Sequence, residues 1–144
     1  MRLFTGCACA LVTPFTREGT LDEAALARLT QWHIAQKTDA LVVCGTTGEA
    51  STMAEYEQTA AMRAVVEAVQ GRVPVLAGVG GNDTKQVIAA CRRAAREGAA
   101  GALAVTPYYN KTTQEGLIAH YTAVADASPL PVVCYNVPGR TGLN

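Results

Sequence analysis

Five short apolar runs recur along this chain, and none of them contains a charge. They occupy residues 7–12, 40–44, 73–79, 102–105 and 132–135, and Val, Leu, Ala and Cys dominate them. A strand with one face in water alternates apolar and polar residues, whereas a strand buried on both faces of a parallel sheet reads as a continuous apolar run. Successive runs start about 30 residues apart, the length of one strand plus one crossover helix. That spacing predicts repeated βα units.

The intervening stretches read as four helices. Thr20-Leu21-Asp22-Glu23, Thr52-Met53-Ala54-Glu55 and Thr112-Thr113-Gln114-Glu115 each place a carboxylate three residues after a hydroxyl, which predicts three capping boxes. The remaining helix is expected to open at Asn82, Asp83 or Thr84. Gly71 and Gly98 fall where the second and third helices should end, at positions that suit a left-handed cap. The predicted order is β-α-β-α-β-α-β-α-β, without a linker or low-complexity tract. A five-stranded doubly wound sheet has this length. So does the first part of an eight-fold βα barrel, which needs about 250 residues when complete. The pattern alone does not choose between them.

Twelve acidic and twelve basic residues balance, so no electrostatic footprint for nucleic acid or an anionic membrane is present. No apolar run approaches the roughly 20 residues that cross a bilayer. A mature cytoplasmic protein is the expectation. Cys7, Cys9, Cys44, Cys91 and Cys134 form no C-x-x-C pair and no metal-like cluster with His33 or His120. They are expected to be small buried hydrophobes, with Cys44, beside a glycine loop, the one most worth following.

In either architecture ligands meet the loops after the C-terminal ends of the strands. Thr13-Pro14-Phe15, after the first strand, is not a phosphate-binding loop, which counts against a nucleotide-binding fold. Gly45-Thr46-Thr47-Gly48-Glu49 can turn backbone N–H groups toward a small anion, or can be a tight turn whose threonines satisfy their own backbone. Gly78-Val79-Gly80-Gly81-Asn82 permits close backbone approach but carries no phosphate lysine. Thr106-Pro107-Tyr108-Tyr109-Asn110-Lys111 offers phenols, which carry protons when hydrogen-bonded in a relay. Tyr135-Asn136-Val137-Pro138-Gly139-Arg140-Thr141-Gly142 sets a phenol near a guanidinium suited to a carboxylate. The set is equipped to hold carboxylates and move protons, and it lacks a metal-ligand set and a nucleophile–base pair.

GTTGEAST, TPYYNKTTQEG and YNVPGRTG closely resemble three motifs of the 4-hydroxy-tetrahydrodipicolinate (dihydrodipicolinate) synthase family, and the resemblance runs from Phe4 to the last residue. It implies an α/β chain, residues 1–144, forming the N-terminal part of a (βα)8 TIM barrel with about five strands and four helices. It implies a lyase that condenses pyruvate with L-aspartate-4-semialdehyde in diaminopimelate and lysine biosynthesis, through a lysine Schiff base and with no other cofactor or metal. By the same resemblance Tyr135 is the proton donor and acceptor, linked through Thr46 to Tyr109, which reaches in from a neighbouring subunit of a dimer of dimers. Thr47, with backbone N–H groups of its loop, holds the pyruvate carboxylate. Arg140 holds the carboxylate of the semialdehyde. The Schiff-base lysine of the family lies beyond Asn144, and Lys37, Lys85 and Lys111 are the only lysines here. The expectation is therefore half of an active site, an inactive and poorly stable piece unless another chain completes it. A sister lyase such as N-acetylneuraminate lyase, and a non-catalytic half-barrel that binds a carboxylate or pairs with a longer subunit, are the alternatives. Positions matching the family's lysine-inhibitor site are Ala50, Ser51, Glu55, Gln58, Asn82, Gln86 and Tyr108; Gln58 and Gln86 stand where sensitive members have histidine and glutamate, which predicts weak lysine inhibition.

Overall fold

A computed structural model describes residues 3–143. Its sheet has five strands, β1 (Ala8–Ala10), β2 (Ala40–Val43), β3 (Val75–Gly78), β4 (Gly101–Val105) and β5 (Val132–Tyr135). They are all parallel and lie in the order β1-β2-β3-β4-β5. A doubly wound sheet must reverse its strand order at a switch point. Here every strand adds to the same side of its predecessor, which is how a βα barrel grows. The chain forms half of such a barrel.

The helices are α1 (Glu23–Ala35), α2 (Glu55–Val69), α3 (Thr84–Arg96), α4 (Gln114–Ala127) and a four-residue α5 (Pro138–Thr141). The capping boxes expected at Thr20, Thr52 and Thr112 do not form. Each helix is capped further along: Asp22 accepts from the Ala25 amide at 2.8 Å, and Thr113 accepts from Gly116 at 3.1 Å. At α2 only the return half of a box exists, with Glu57 accepting from the Ala54 amide at 2.7 Å. The displaced threonines are held elsewhere. Thr20 bonds Thr16 beside a Phe15–Leu21 bridge, and Thr52 ends a 3₁₀ turn over Ala50–Thr52 with its hydroxyl on the Glu49 carbonyl. The remaining helix, α3, opens as expected, capped by Asp83. Gly71 and Gly98 are left-handed, with φ of 73° and 86°. The short α5 lies in what the sequence reads as loop; Pro138 at its start supplies a preset φ.

β2 is buried throughout and β3 nearly so. Leu41, Val43, Val75 and Ala77 join Met62, Val65 and Val69 of α2 and Val87, Cys91 and Ala94 of α3 in one continuous core. The outer strands β1 and β5 are less covered. This corrects the expectation for the thiols: Cys44 and Cys91 are buried, but Cys7 and Cys134 are exposed and Cys9 is intermediate. Among the described residues no helix is long and apolar enough to cross a membrane.

His120 and Tyr121, side by side on α4, tie that helix to the loop ends. His120 Nδ1 lies 2.9 Å from the Thr84 hydroxyl at the start of α3. The Tyr121 hydroxyl lies 3.1 Å from Thr106 Oγ1 and donates to the Ala104 carbonyl.

Candidate active site

The C-terminal ends of the strands surround a cleft of about 640 Å³. Its closest backbone approach lies between the ends of β2 and β3. A Cβ placed on Gly78 would stand 2.0 Å from the Cys44 carbonyl oxygen, so only glycine lets these two strand ends come together. Gly80 has the same constraint against Val105. Cys44 itself takes φ of 56°, turning the chain sharply into Gly45 and the threonine loop.

In that loop the Gly48 and Glu49 amides donate to the Gly45 and Thr46 carbonyls, both at 3.1 Å. The amides of Thr46 and Thr47 have no hydrogen-bond acceptor among the described residues. Two adjacent amides left outside the turn's own bonds can serve a small anion. Thr13 braces the loop from the end of β1, donating its buried hydroxyl to the Gly48 carbonyl at 2.7 Å. The sequence reading missed Thr13; its only signal is its place directly after the first apolar run.

Thr46, Tyr109, Tyr135 and Arg140 all line the cleft, whereas Thr47 is exposed beside it and does not. Tyr135 is the last residue of β5, and its carbonyl accepts from the Thr106 amide at 2.8 Å. Thr106 thus joins the roots of the two tyrosine loops, while its hydroxyl is held by Tyr121. Tyr109 adopts φ of 70° and is 90% exposed. A non-glycine residue in the left-handed region is uncommon and marks a conformation that the surrounding loop imposes. Among the described residues no side-chain hydrogen bond joins Thr46, Tyr109 and Tyr135, so the relay is not closed within the single chain. Arg140 sits on α5, exposed. Its neighbour Thr141 is buried and anchors the segment by donating to the Asn136 side-chain oxygen at 3.1 Å.

Among the described residues Arg93 and Arg140 are the charged side chains that line the cleft. Arg93 is paired with the Glu55 carboxylate at 3.3 Å, which leaves the Arg140 guanidinium to attract an anion. No lysine lines it: Lys37 lies just past α1, Lys85 is on α3 and Lys111 is exposed in the tyrosine loop. Among the described residues no group of three His, Cys, Asp or Glu could hold a metal.

Cys44 also borders the cleft but is 3% exposed, and burial pushes its thiol up to about 12. Its Sγ donates to the Gln58 carbonyl at 3.6 Å. At pH 8 it stays a protonated thiol, and the thiolate is the reactive form. Iodoacetamide at that pH should label Cys7 and Cys134 and leave Cys44 unmodified, as read by peptide mass spectrometry. Labelling of Cys44 at the rate of Cys7 would contradict this.

The chain matches the model of the dihydrodipicolinate synthetase family over residues 3–144. It is 52% identical over 144 residues to a 4-hydroxy-tetrahydrodipicolinate synthase of Caldicellulosiruptor bescii, covering all of this chain and 49% of that protein. With the Geobacter sulfurreducens enzyme of the same name it shares 52% identity over 142 residues, 99% of this chain and 49% of the relative. Among solved structures, the chloride-inhibited dihydrodipicolinate synthase of Acinetobacter baumannii complexed with pyruvate superposes with a TM-score of 0.94 at 47% identity. That match covers 96% of this chain and 48% of the other. The dihydrodipicolinate synthase of Thermotoga maritima superposes with a TM-score of 0.95 at 43% identity, over 99% and 48%. The chain spans about half the length of the curated relatives it matches.

Proposed function

We propose, from the premise that this chain belongs to the dihydrodipicolinate synthetase family of lyases, that it supplies the carboxylate-binding and proton-moving half of a 4-hydroxy-tetrahydrodipicolinate synthase site. The observation that carries this reading is the convergence of Thr46, Tyr109, Tyr135 and Arg140 on one cleft. The pyruvate carboxylate sits on the Thr46 and Thr47 amides and the Thr47 hydroxyl. The family chemistry then needs a lysine of lowered pKa to form an imine with the pyruvate carbonyl, and a sheltered pocket supplies that lowering. Among the described residues no lysine lines the cleft, in keeping with the resemblance, which puts that group outside residues 1–144. Tyr135 exchanges protons with the imine as it becomes an enamine and after the enamine has attacked the aldehyde. Thr46 and Tyr109 extend the proton path outward. Arg140 holds the carboxylate of the semialdehyde at the rim. The exposure of Tyr109 leaves its phenol available to a second copy, in keeping with a homo-oligomeric enzyme; a solved neighbour described as a monomeric synthase variant bounds that expectation. No dissociable cofactor is needed.

The test is a fusion of residues 1–144 to the missing half of the Geobacter sulfurreducens relative. The fusion should consume pyruvate and aspartate semialdehyde, and borohydride with pyruvate should leave a covalent adduct on the grafted half. Lys37, Lys85 and Lys111 should remain unmodified, in the fusion and in this chain alone. A folded fusion that binds no pyruvate, or an adduct on Lys111, overturns the assignment.

A further inference from the structure

The Arg140 side chain makes no hydrogen bond or ion pair among the described residues, so its direction depends on the backbone that carries it. That backbone is the single turn α5. The Arg140 and Thr141 amides donate to the Val137 carbonyl at 2.8 and 3.0 Å, and the Gly142 amide donates to Pro138 at 2.9 Å. One turn of helix does not stand alone, because nucleation fixes several dihedrals for very few hydrogen bonds. Nor does α5 lean much on the core: Thr141 is its one buried residue. A side-chain clasp holds it instead. Asn136, the residue after Tyr135, accepts from the Thr141 hydroxyl at Oδ1 and donates from Nδ2 to the Leu143 carbonyl, both at 3.1 Å. The Thr141 hydroxyl also lies 3.2 Å from the Val137 carbonyl. One orientation of the carboxamide satisfies both contacts; reversed, it would set its oxygen against the Leu143 carbonyl. Asn136 thus ties the end of β5 to both ends of the segment that bears Arg140.

We propose that Asn136 and Thr141 are positioning residues for Arg140: their clasp aims the guanidinium, and so sets the affinity for the aldehyde substrate and not for pyruvate. This rests on the role given to Arg140 above. A bidentate arginine–carboxylate pair needs the planar fork at a set angle. A displacement of about 1 Å in such a contact can cost about 10²-fold in rate. The pyruvate carboxylate is assigned to the threonine loop after β2, on a different strand end, so imine formation does not feel the clasp. Neutral hydrogen bonds near the surface are individually weak, so losing these two loosens a lone turn and leaves the sheet folded.

The fused enzyme tests this. Asn136→Leu keeps the branching of the side chain and removes both contacts, and Thr141→Val keeps the shape and removes the hydroxyl. Each should raise KM for aspartate semialdehyde about tenfold. In both, kcat should stay within about threefold and borohydride-trapped pyruvate adduct within about twofold of the parent. Thr141→Ser restores the hydroxyl and should return KM to within about twofold. Arg140→Gln should raise the same KM at least as far. Adding Asn136→Leu to it should change little more, since a clasp with no guanidinium to aim has no effect left on binding. In the unfused chain, Asn136→Leu should speed hydrogen exchange at the Arg140 and Gly142 amides at least about tenfold, while the β3 amides keep their protection. If Arg140→Gln leaves KM unchanged, the role of Arg140 and this proposal fall together. If Arg140→Gln raises KM while Asn136→Leu and Thr141→Val do not, the role of Arg140 stands and the proposal alone is overturned. An equal loss of pyruvate adduct would overturn it too, because the clasp would then support the whole cleft.

Discussion

Replacing Gly78 with alanine should cost at least about 3 kcal/mol of folding stability, the upper end of what forced overpacking costs in a core. The added methyl group would stand 2.0 Å from the Cys44 carbonyl oxygen, 2.6 Å from its carbon and 2.9 Å from the Gly45 nitrogen. All three are backbone atoms, so no side-chain rotation relieves the clash; β3 must move away from β2. Those two strands form the most deeply buried part of the sheet, and moving either opens the packing of α2 and α3. Single domains hold about 5–15 kcal/mol in total, so this one methyl group would remove a large share. Gly139→Ala is the matched control: nothing lies within 4 Å of its added Cβ, and stability should change by less than about 0.5 kcal/mol. Urea denaturation followed by circular dichroism measures both. A Gly78→Ala chain as stable as the Gly139→Ala chain would mean that the strand ends are not in the close approach described. The functional consequence follows from the same contact, because Cys44 leads into the loop that carries Thr46 and Thr47.

Much of this architecture is legible in the sequence because burial on both faces leaves a period-free apolar signature. All five runs became strands, with ends displaced by a few residues. Strand order was not legible. A doubly wound sheet and a barrel share the same alternation of elements, and only the pairing of β1 with β2, β2 with β3 and onward separates them. The capping boxes failed for a local reason. A hydroxyl three residues before a carboxylate occurs wherever threonine is common, and α1 and α4 begin one or two residues later, so Asp22 and Thr113 hold the cap positions and accept from the Ala25 and Gly116 amides instead. Thr46, Tyr109, Tyr135 and Arg140, which line one cleft, are legible as residues at or after strand ends, while their roles come from the resemblance alone. Arg93 was not found, because nothing in a run of RRAAREG distinguishes the arginine that turns into a groove from its solvated neighbours. Thr13 and Thr106 escaped for a related reason: bracing residues look like ordinary loop threonines until their partners, Gly48 and Tyr121, are placed.

Tyr135→Phe should lower kcat of the fused enzyme by about 10²–10⁴-fold, the range that a positioned acid–base group contributes. The change deletes one hydroxyl and keeps the ring. Tyr135 is the last residue of β5, and its backbone is fixed by the Thr106 amide at 2.8 Å, so the loop roots should stay in place. Pyruvate binding, which the proposed function places on the threonine loop, should change by less than about twofold, because an interaction made only during proton transfer is absent from the ground state. Tyr109→Phe should also slow the reaction, since its phenol shares the cleft. If Thr46, Tyr109 and Tyr135 work as one relay, breaking it once is nearly the whole loss. The Tyr109→Phe/Tyr135→Phe double variant should then be little slower than Tyr135→Phe alone, the non-additivity expected of groups that act as a unit. Losses that multiply would assign the two phenols separate tasks. A kcat within about threefold of the parent for Tyr135→Phe would remove this phenol from the chemistry and move the proton to another group, with Arg140 and the threonine loop left as carboxylate binders.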